Sequence, residues 1–321
     1  MTSANQSTGL TGRSLEKQTS PARVLDVGFW GLTLLLAISA GAVLLWVILQ
    51  TAIAAAPAIQ EFGLGFLVNT TWDPVKDIYG VLPQIYGTIV TAFIALLIAV
   101  PLGIGVAIFL TEGFAPQWVT TPIAFAIELI VAIPSVVLGI WGIFVLIPVI
   151  KPIFGFLNAY LGWIPIFSGR TPLGNSLLIV GLVLAIMIVP IIISITRSTF
   201  EVLPAYLRNG SLALGATRWE TILRVLIPAG LSGIISSVML AMGRAMGETM
   251  VAAMLVGNAN SIKISWVQPG STITGLIASQ FGEAGRTQVA ALMYAGLVLM
   301  VLSLVVNILS EVIIRRFQNI E

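Results

Sequence analysis

Thr196-Arg197-Ser198-Thr199-Phe200-Glu201-Val202-Leu203-Pro204 opens a polar island that continues Ala205-Tyr206-Leu207-Arg208-Asn209-Gly210-Ser211-Leu212-Ala213-Leu214-Gly215-Ala216-Thr217-Arg218-Trp219-Glu220-Thr221-Ile222 and closes at Ile227-Pro228. Long apolar runs flank it on both sides. A bare connection between neighbouring helices takes roughly 2–8 residues, so this stretch is too long to be only a connection. It carries four Arg and keeps apolar residues at Leu207, Leu212, Leu214, Trp219 and Ile222. That spacing predicts a short amphipathic helix, a glycine turn at Gly215 and a second amphipathic stretch. Such an element on one face of an apolar chain reads as a docking element, engaged by something on that face.

The rest of the chain sets the frame. Of its 321 residues 58% are hydrophobic and 9% charged, and the mean hydropathy is +1.04. No soluble core is that apolar over that length, so the fold expected is an all-α polytopic membrane protein, with the lipid bilayer as its solvent. The absence of Cys and His removes thiolate chemistry, disulfides and the commonest metal ligand and general base. A net charge of +2 gives no footprint for nucleic acid. Lys17, Lys76, Lys151 and Lys263 are the four lysines, and none follows a glycine. A Walker-type phosphate loop is therefore missing, and no metal or cofactor site is expected in this chain.

Six stretches are long enough to cross a bilayer, which takes about 20 helical residues: 27–56, 87–110, 122–150, 174–196, 228–257 and 288–314. The reading divides the chain into a tail at 1–26, a first span at 27–56, an outer loop at 57–86, a core at 87–315 containing the island at about 197–228, and a short end at 316–321. Ala54-Ala55-Ala56 imitates a cleavage site, but the apolar run before it is too long for a signal-peptide core. With both termini inside, Arg13, Lys17, Arg23, Arg197, Arg208, Arg218, Arg224, Arg315 and Arg316 lie on the inner side, against Lys76, Lys151, Arg170, Lys263 and Arg286 outside. The positive-inside bias favours that orientation and puts the island in the cytoplasm. Pro101, Pro134, Pro148 and Pro190 fall in or near spans. They read either as kinks that improve packing or as bends that a moving bundle needs.

Three ionisable residues lie deep in the expected spans: Glu128, Arg244 and Glu248. Each needs a partner or an aqueous path. Arg244 stands 16 residues beyond Pro228, about 24 Å along an unbroken helix. Arg244 and Glu248 are four apart, which puts them on one helix face as an ion pair. Gly243 and Gly247 form a small-xxx-small pattern that lets another helix approach at the charges. A packing-only pair is one reading. The other is an anion path lined by Arg244, Glu248, the adjacent Thr249 and Glu128, since a guanidinium fork binds two oxygens of a tetrahedral oxyanion. Glu128 is expected to pair with Arg244 or with a partner chain.

The island resembles the cytoplasmic EAA loop of ABC importer permeases. Gly215 matches that family's glycine and Ile227-Pro228 its closing apolar–proline pair, while Asn209, Gly210 and Ser211 stand where the Glu-Ala-Ala would be. Asp73-Pro74, Tyr79-Gly80-Val81-Leu82-Pro83, Ile85-Tyr86-Gly87-Thr88, the run from Glu128 to Gly142, Ala185 to Pro190 and Gly243 to Met250 resemble, more narrowly, the PstC-type permeases of phosphate-specific Pst importers. That resemblance implies a six-helix MetI-like bundle with cytoplasmic coupling helices. It implies transport of inorganic phosphate from periplasm to cytoplasm, across a bacterial inner membrane, by a subunit that is not itself an enzyme. The implied partners are a second, PstA-like permease, a dimer of a PstB-like ATPase that binds the ATP and Mg, and a periplasmic PstS-like phosphate-binding protein. It assigns ATPase coupling to Leu207, Asn209, Gly215, Ala216, Trp219 and Pro228. Three alternatives remain at this point: an ABC permease for molybdate or sulfate, an ion-driven secondary transporter using Glu128 and Glu248, and a scaffold subunit without a pathway.

Overall fold

A computed structural model describes residues 21–166, 168 and 174–318. Arg13, Lys17 and Arg170 from the charge count, and most of the 1–26 tail, lie outside the described residues, as do 319–321. The chain divides into two units, Met1–Gln50 and Thr51–Glu321. Residues 21–50, the described part of the first, belong to helix α1 (Pro21–Phe62). After it come the short α2 (Gly65–Val68), α3 (Leu82–Thr111), α4 (Gln117–Val131), α5 (Ser135–Trp141) and α6 (Ile147–Leu161). Next are α7 (Leu177–Val202), α8 (Ala205–Ala213), α9 (Arg218–Thr221), α10 (Ile227–Ala229), α11 (Leu231–Gly247), α12 (Met250–Leu255), α13 (Ile273–Gln280) and α14 (Arg286–Gln318).

Five helical stretches are long and apolar enough to span a bilayer: Asp26–Phe62, Leu82–Thr111, Ser135–Tyr160, Leu177–Val202 and Arg286–Val312. A sixth span is a bent pair, Arg218–Ala229 with Leu231–Gly247, whose arms meet at 69°. Two expected spans differ from these. The run 122–150 is not one helix: α4 stops at Val131, and Pro134 starts α5 from an extended conformation. Proline has no N–H to donate and pushes the residue before it out of the helical region, so Ile133-Pro134 divides the run. The span of sufficient length begins only at Ser135. The run 228–257 is likewise broken at Gly230 and again at Glu248-Thr249. By contrast Pro101 and Pro190 sit inside continuous helices, and Pro148 lies within the helical stretch Ser135–Tyr160, directly after a wide π turn at Gly142–Leu146.

The centre of the second unit is the seam between α3 and α7. Gly103 on α3 receives Ile192 of α7, and Gly181 on α7 receives Ile94 of α3. A Cβ on Gly103 would lie 2.6 Å from Ile192 Cγ2, and one on Gly181 2.5 Å from Ile94 Cγ2. Small residues let helix backbones approach closely where lipid removes the usual hydrophobic drive for association. Ala95, Ala99, Val180, Val183 and Ile188 complete a fully buried layer. Gly181→Ala is therefore expected to lower the unfolding temperature of the purified protein, because overpacking costs about 1–3 kcal/mol. Helix propensity alone gives the opposite sign, favouring Ala over Gly by about 1 kcal/mol. A raised unfolding temperature would remove the seam's dependence on this notch.

At the end of the bundle away from the island, residues 63–81 fold into an aromatic cap. Phe66 stacks on Tyr294 at 4.4 Å, and Trp72 meets Tyr79 edge-on at 4.9 Å. Trp72 Nε1 donates to Gln280 Oε1 at 2.8 Å, and Tyr294 Oη to the Gly63 carbonyl at 3.1 Å. Burial, with Asp77 accepting its hydroxyl hydrogen bond, pushes the Tyr79 phenol up to about 12. Tyr79 therefore remains a donor throughout the physiological range.

Candidate functional site

The island folds as its spacing indicates. Leu203-Pro204 is extended and ends α7, after which α8 forms. Gly215, at φ +86°, closes α8 in a left-handed turn, with Gly215 N–H donating to the Leu212 carbonyl at 3.0 Å and Ala216 N–H to the Ser211 carbonyl at 3.2 Å. A Cβ at 215 would meet no atom within 4 Å, so the glycine is required by its backbone angle and not by space. Thr217 then caps α9. Its hydroxyl oxygen accepts from Glu220 N–H, and the Glu220 carboxylate accepts from Thr217 N–H at 2.8 Å. Those bonds hold the Glu220 carboxyl below its ordinary value, the backbone bond contributing most.

The apolar positions of the island divide between two faces. Leu207 and Ile222 turn inward and pack with Ile108, Phe200, Leu226 and Ile234. Leu212, Leu214 and Trp219 turn outward, with Leu214 91% exposed. Trp219 tilts against Phe114 at 5.4 Å. Asn209 and Gly215 are exposed, while Ala216 and Pro228 are half-buried. Gly215→Val is expected to leave the chain inserted but to lower transport per ATP or to weaken retention of the ATPase, since a β-branched residue is strained at this φ. Normal coupling with full ATPase retention in that variant would count against a docking role for the turn.

The strongest bond in the island was not legible from its own sequence. Arg208 donates through Nε and Nη2 to the Glu112 carboxylate at 2.8–3.2 Å, through Nη2 to the Phe200 carbonyl at 2.8 Å, and through Nη1 to the Leu203 carbonyl at 3.2 Å. Glu112 immediately follows α3, so this fork fastens α8 to the end of α3 and to the end of α7 at once. The one sequence signal was an acid at the mouth of a loop, 111–121, that has no basic residue of its own.

Within the bundle the expected Arg244–Glu248 pair does not form. α11 ends at Gly247, and Glu248 is extended at φ −69°, ψ 124°, so the two side chains do not share a helix face. Glu248 Oε1 instead accepts from Met250 N–H at 3.2 Å, and its carbonyl accepts from the Thr274 hydroxyl at 2.7 Å. These bonds satisfy backbone groups released by the break, which is what permits a broken helix at membrane depth. The Thr249 hydroxyl donates to the Gly247 carbonyl at 3.3 Å. Arg244 lies in the last turn of α11, where the helix dipole favours a cation. Measured from Leu231, it is about 20 Å along α11 at 1.5 Å per residue, and the bend at Gly230 removes the straight 24 Å expected from Pro228.

Arg244 and Gly243 are exposed and line an open cavity of about 720 Å³ with Val131, Ile191, Met239, Leu240 and Asn307. Gly247 is exposed as well, and a Cβ on either glycine would meet nothing within 4 Å. Asn307, on α14, is a polar partner in this cavity that the sequence reading missed. Glu128 forms no ion pair with Arg244. It lines a neighbouring cavity of about 430 Å³ with Arg197, Glu201, Ser194 and Ser198. Val131 lines both cavities, so they adjoin along one face of α4, α7 and α11.

Comparison with known proteins gives the family and the fold. Residues 99–319 match the family described as binding-protein-dependent transport system inner membrane component. A phosphate transport system permease protein PstC of Haemophilus influenzae is 43% identical over 277 residues, covering 85% of this chain and 88% of that protein. The protein of the same name from Xylella fastidiosa (strain Temecula1) is 44% identical over 269 residues, covering 82% of each. Among solved structures, an inward-facing conformation of the MetNI methionine ABC transporter aligns with a TM-score of 0.51 at 20% identity, over 74% of this chain and 94% of that one. That likeness establishes a MetI-like bundle.

Proposed function

Because this chain belongs to the binding-protein-dependent inner membrane components, and within them to the PstC-type permeases, we propose that it carries inorganic phosphate across the inner membrane into the cytoplasm. Both termini and the island face the cytoplasm in this reading. A PstA-like permease completes the pathway, a PstB-like ATPase dimer binds ATP and Mg, and a PstS-like protein delivers the anion from the periplasm. The outward apolar face of α8 and its turn, with Leu212, Leu214 and Trp219 beside Asn209, docks on the ATPase. Asn209 makes that contact neutral where the family has an acid. Arg244 meets the anion in transit, and the exposed Gly243 and Gly247 admit a helix of the second permease.

The observation that carries this reading is the exposure of Arg244 in an open cavity at a helix break, without a carboxylate pair. A cation so placed is available to an anion, and its i,i+4 acid is turned away to cap the next helix. In this setting Glu248 holds the Met250 N–H and does not orient Arg244. Co-purification of the four components, followed by ATP hydrolysis and uptake in proteoliposomes with phosphate, sulfate or molybdate, tests the proposal. Phosphate-selective stimulation is expected. Stimulation by sulfate or molybdate alone would reassign the anion, and ATP-independent uptake driven by an ion gradient would overturn the mechanism.

A further inference from the structure

A second cation faces the same route. Arg197 stands five residues before the end of α7, about 8 Å along that helix, and Glu128 is eleven residues into α4, about 17 Å along it. Both line the cavity that adjoins the one holding Arg244. They also line a further recess of about 290 Å³ with Thr120 and Thr121. From the sequence Arg197 counts only as an inner-side charge, and Glu128 is expected to pair with Arg244 or with a partner chain.

The chemistry of the pair is more specific than a positive mouth. Arg197 spends its Nε on Glu201 Oε1 at 2.8 Å. A guanidinium has five N–H donors, so the Nη edge of its fork remains to take two oxygens of a tetrahedral anion. Ser194 and Ser198 line the same cavity, and the Ser198 hydroxyl donates to the Ser194 carbonyl at 3.0 Å, leaving its oxygen as an acceptor. Glu128 brings a carboxylate to this wall. It accepts a hydrogen bond from an oxyanion that retains a proton, and repels one that does not. Near neutral pH phosphate retains at least one proton and sulfate none, so Arg197 attracts both anions, while Glu128 accepts a hydrogen bond from the first and meets the second with unrelieved repulsion.

The geometry points to Arg197 and Glu128 as a second anion station on the inner half of the path, selective for a protonated oxyanion and occupied after Arg244 on the way to the cytoplasm. This rests on the path assignment made above for Arg244. In the empty station Arg197 leans on Glu201. The arriving anion takes the open edge of the fork, and release to the cytoplasm leaves the Arg197–Glu201 pair in place.

The natural chain has no cysteine, so a single thiol reports on this cavity without background from the subunit. Ser198→Cys in the assembled complex is labelled with a charged thiol reagent in vesicles of neutral lipid, and the rate is read on this subunit by gel shift. Inorganic phosphate is expected to slow labelling several-fold and sulfate to leave it unchanged. Adding Arg197→Ala should abolish the protection, Arg197→Lys should retain part of it, and Glu128→Gln should let sulfate protect as well. Protection by phosphate that is undiminished in Arg197→Ala, or equal protection by sulfate before any change at Glu128, overturns the station. Slowing by anionic lipid without added phosphate assigns the cavity to a lipid headgroup and overturns it too. Uptake by Arg244→Ala in the same preparations separates the two proposals. A wild-type rate there sinks the Arg244 path. Lost uptake there, with protection independent of Arg197, sinks the second station alone.

Discussion

Arg244→Ala is expected to bring phosphate uptake to background while the complex still assembles. An anion crossing a low-dielectric interior needs opposite charge close by. Two unit charges 4 Å apart attract by about 4 kcal/mol at an effective dielectric constant near 20, which corresponds to about three orders of magnitude in rate if the contact is made in the limiting step. The side chain stands in an open cavity, so its removal leaves no buried partner unsatisfied and the fold should tolerate it. Arg244→Lys keeps the charge but loses the planar fork, and should recover part of the rate. Uptake of labelled phosphate by proteoliposomes, with co-purification as the assembly control, decides the matter. A wild-type rate in Arg244→Ala would reduce the residue to a packing role.

Arg208→Ala is expected to have the second largest effect, and through a different route. It removes every bond of the fork at once, leaving the Glu112 carboxylate and the carbonyls of Phe200 and Leu203 without their donor. Breaking a buried pair in this way costs about 3–5 kcal/mol. The Arg208 side chain is 24% exposed and that of Glu112 10%, so a value of about 2–3 kcal/mol is more appropriate once solvent screening is allowed for. The expected result is ATP hydrolysis that continues with less phosphate moved per ATP, or an ATPase that dissociates on purification. Glu112→Gln keeps one acceptor and leaves the carbonyl bonds intact, so it should be milder. Coupling at the wild-type ratio in Arg208→Ala would show that α8 keeps its place without this clamp.

The island was the most legible part of the chain because its signals are local. The helix, the Gly215 turn and the following stretch depend on residues within a few positions of one another. The broken spans were hidden because hydropathy reports whether a segment tolerates lipid, and says nothing of whether its backbone is continuous. Ile133-Pro134 divides an apolar run without making it less apolar, and Glu248-Thr249 does so inside a pattern that an ideal helix turns into an ion pair. The Arg208–Glu112 clamp joins residues 96 positions apart, which no spacing rule reaches. Of the two partners expected for Glu128, Arg244 forms no ion pair with it within this chain. Three deep charges suggested pairing among themselves, whereas Arg197, nearer a helix end, proved to share the cavity with it.

The two notches between α3 and α7 have a mechanical consequence. One tooth points from α3 into α7 and the other from α7 into α3, so sliding either helix along the other drives an isoleucine out of its socket. The pair resists shear and behaves as a single beam. Arg208 ties α8 to that beam at its tip, beside the last turns of both helices. A displacement of α8 is thus delivered to α3 and α7 together, as rotation of one rigid strut against its neighbours. The compliant parts are then the joints at Ile133-Pro134, Gly230 and Glu248-Thr249, each of which already interrupts a helix and can turn without breaking a hydrogen-bond ladder.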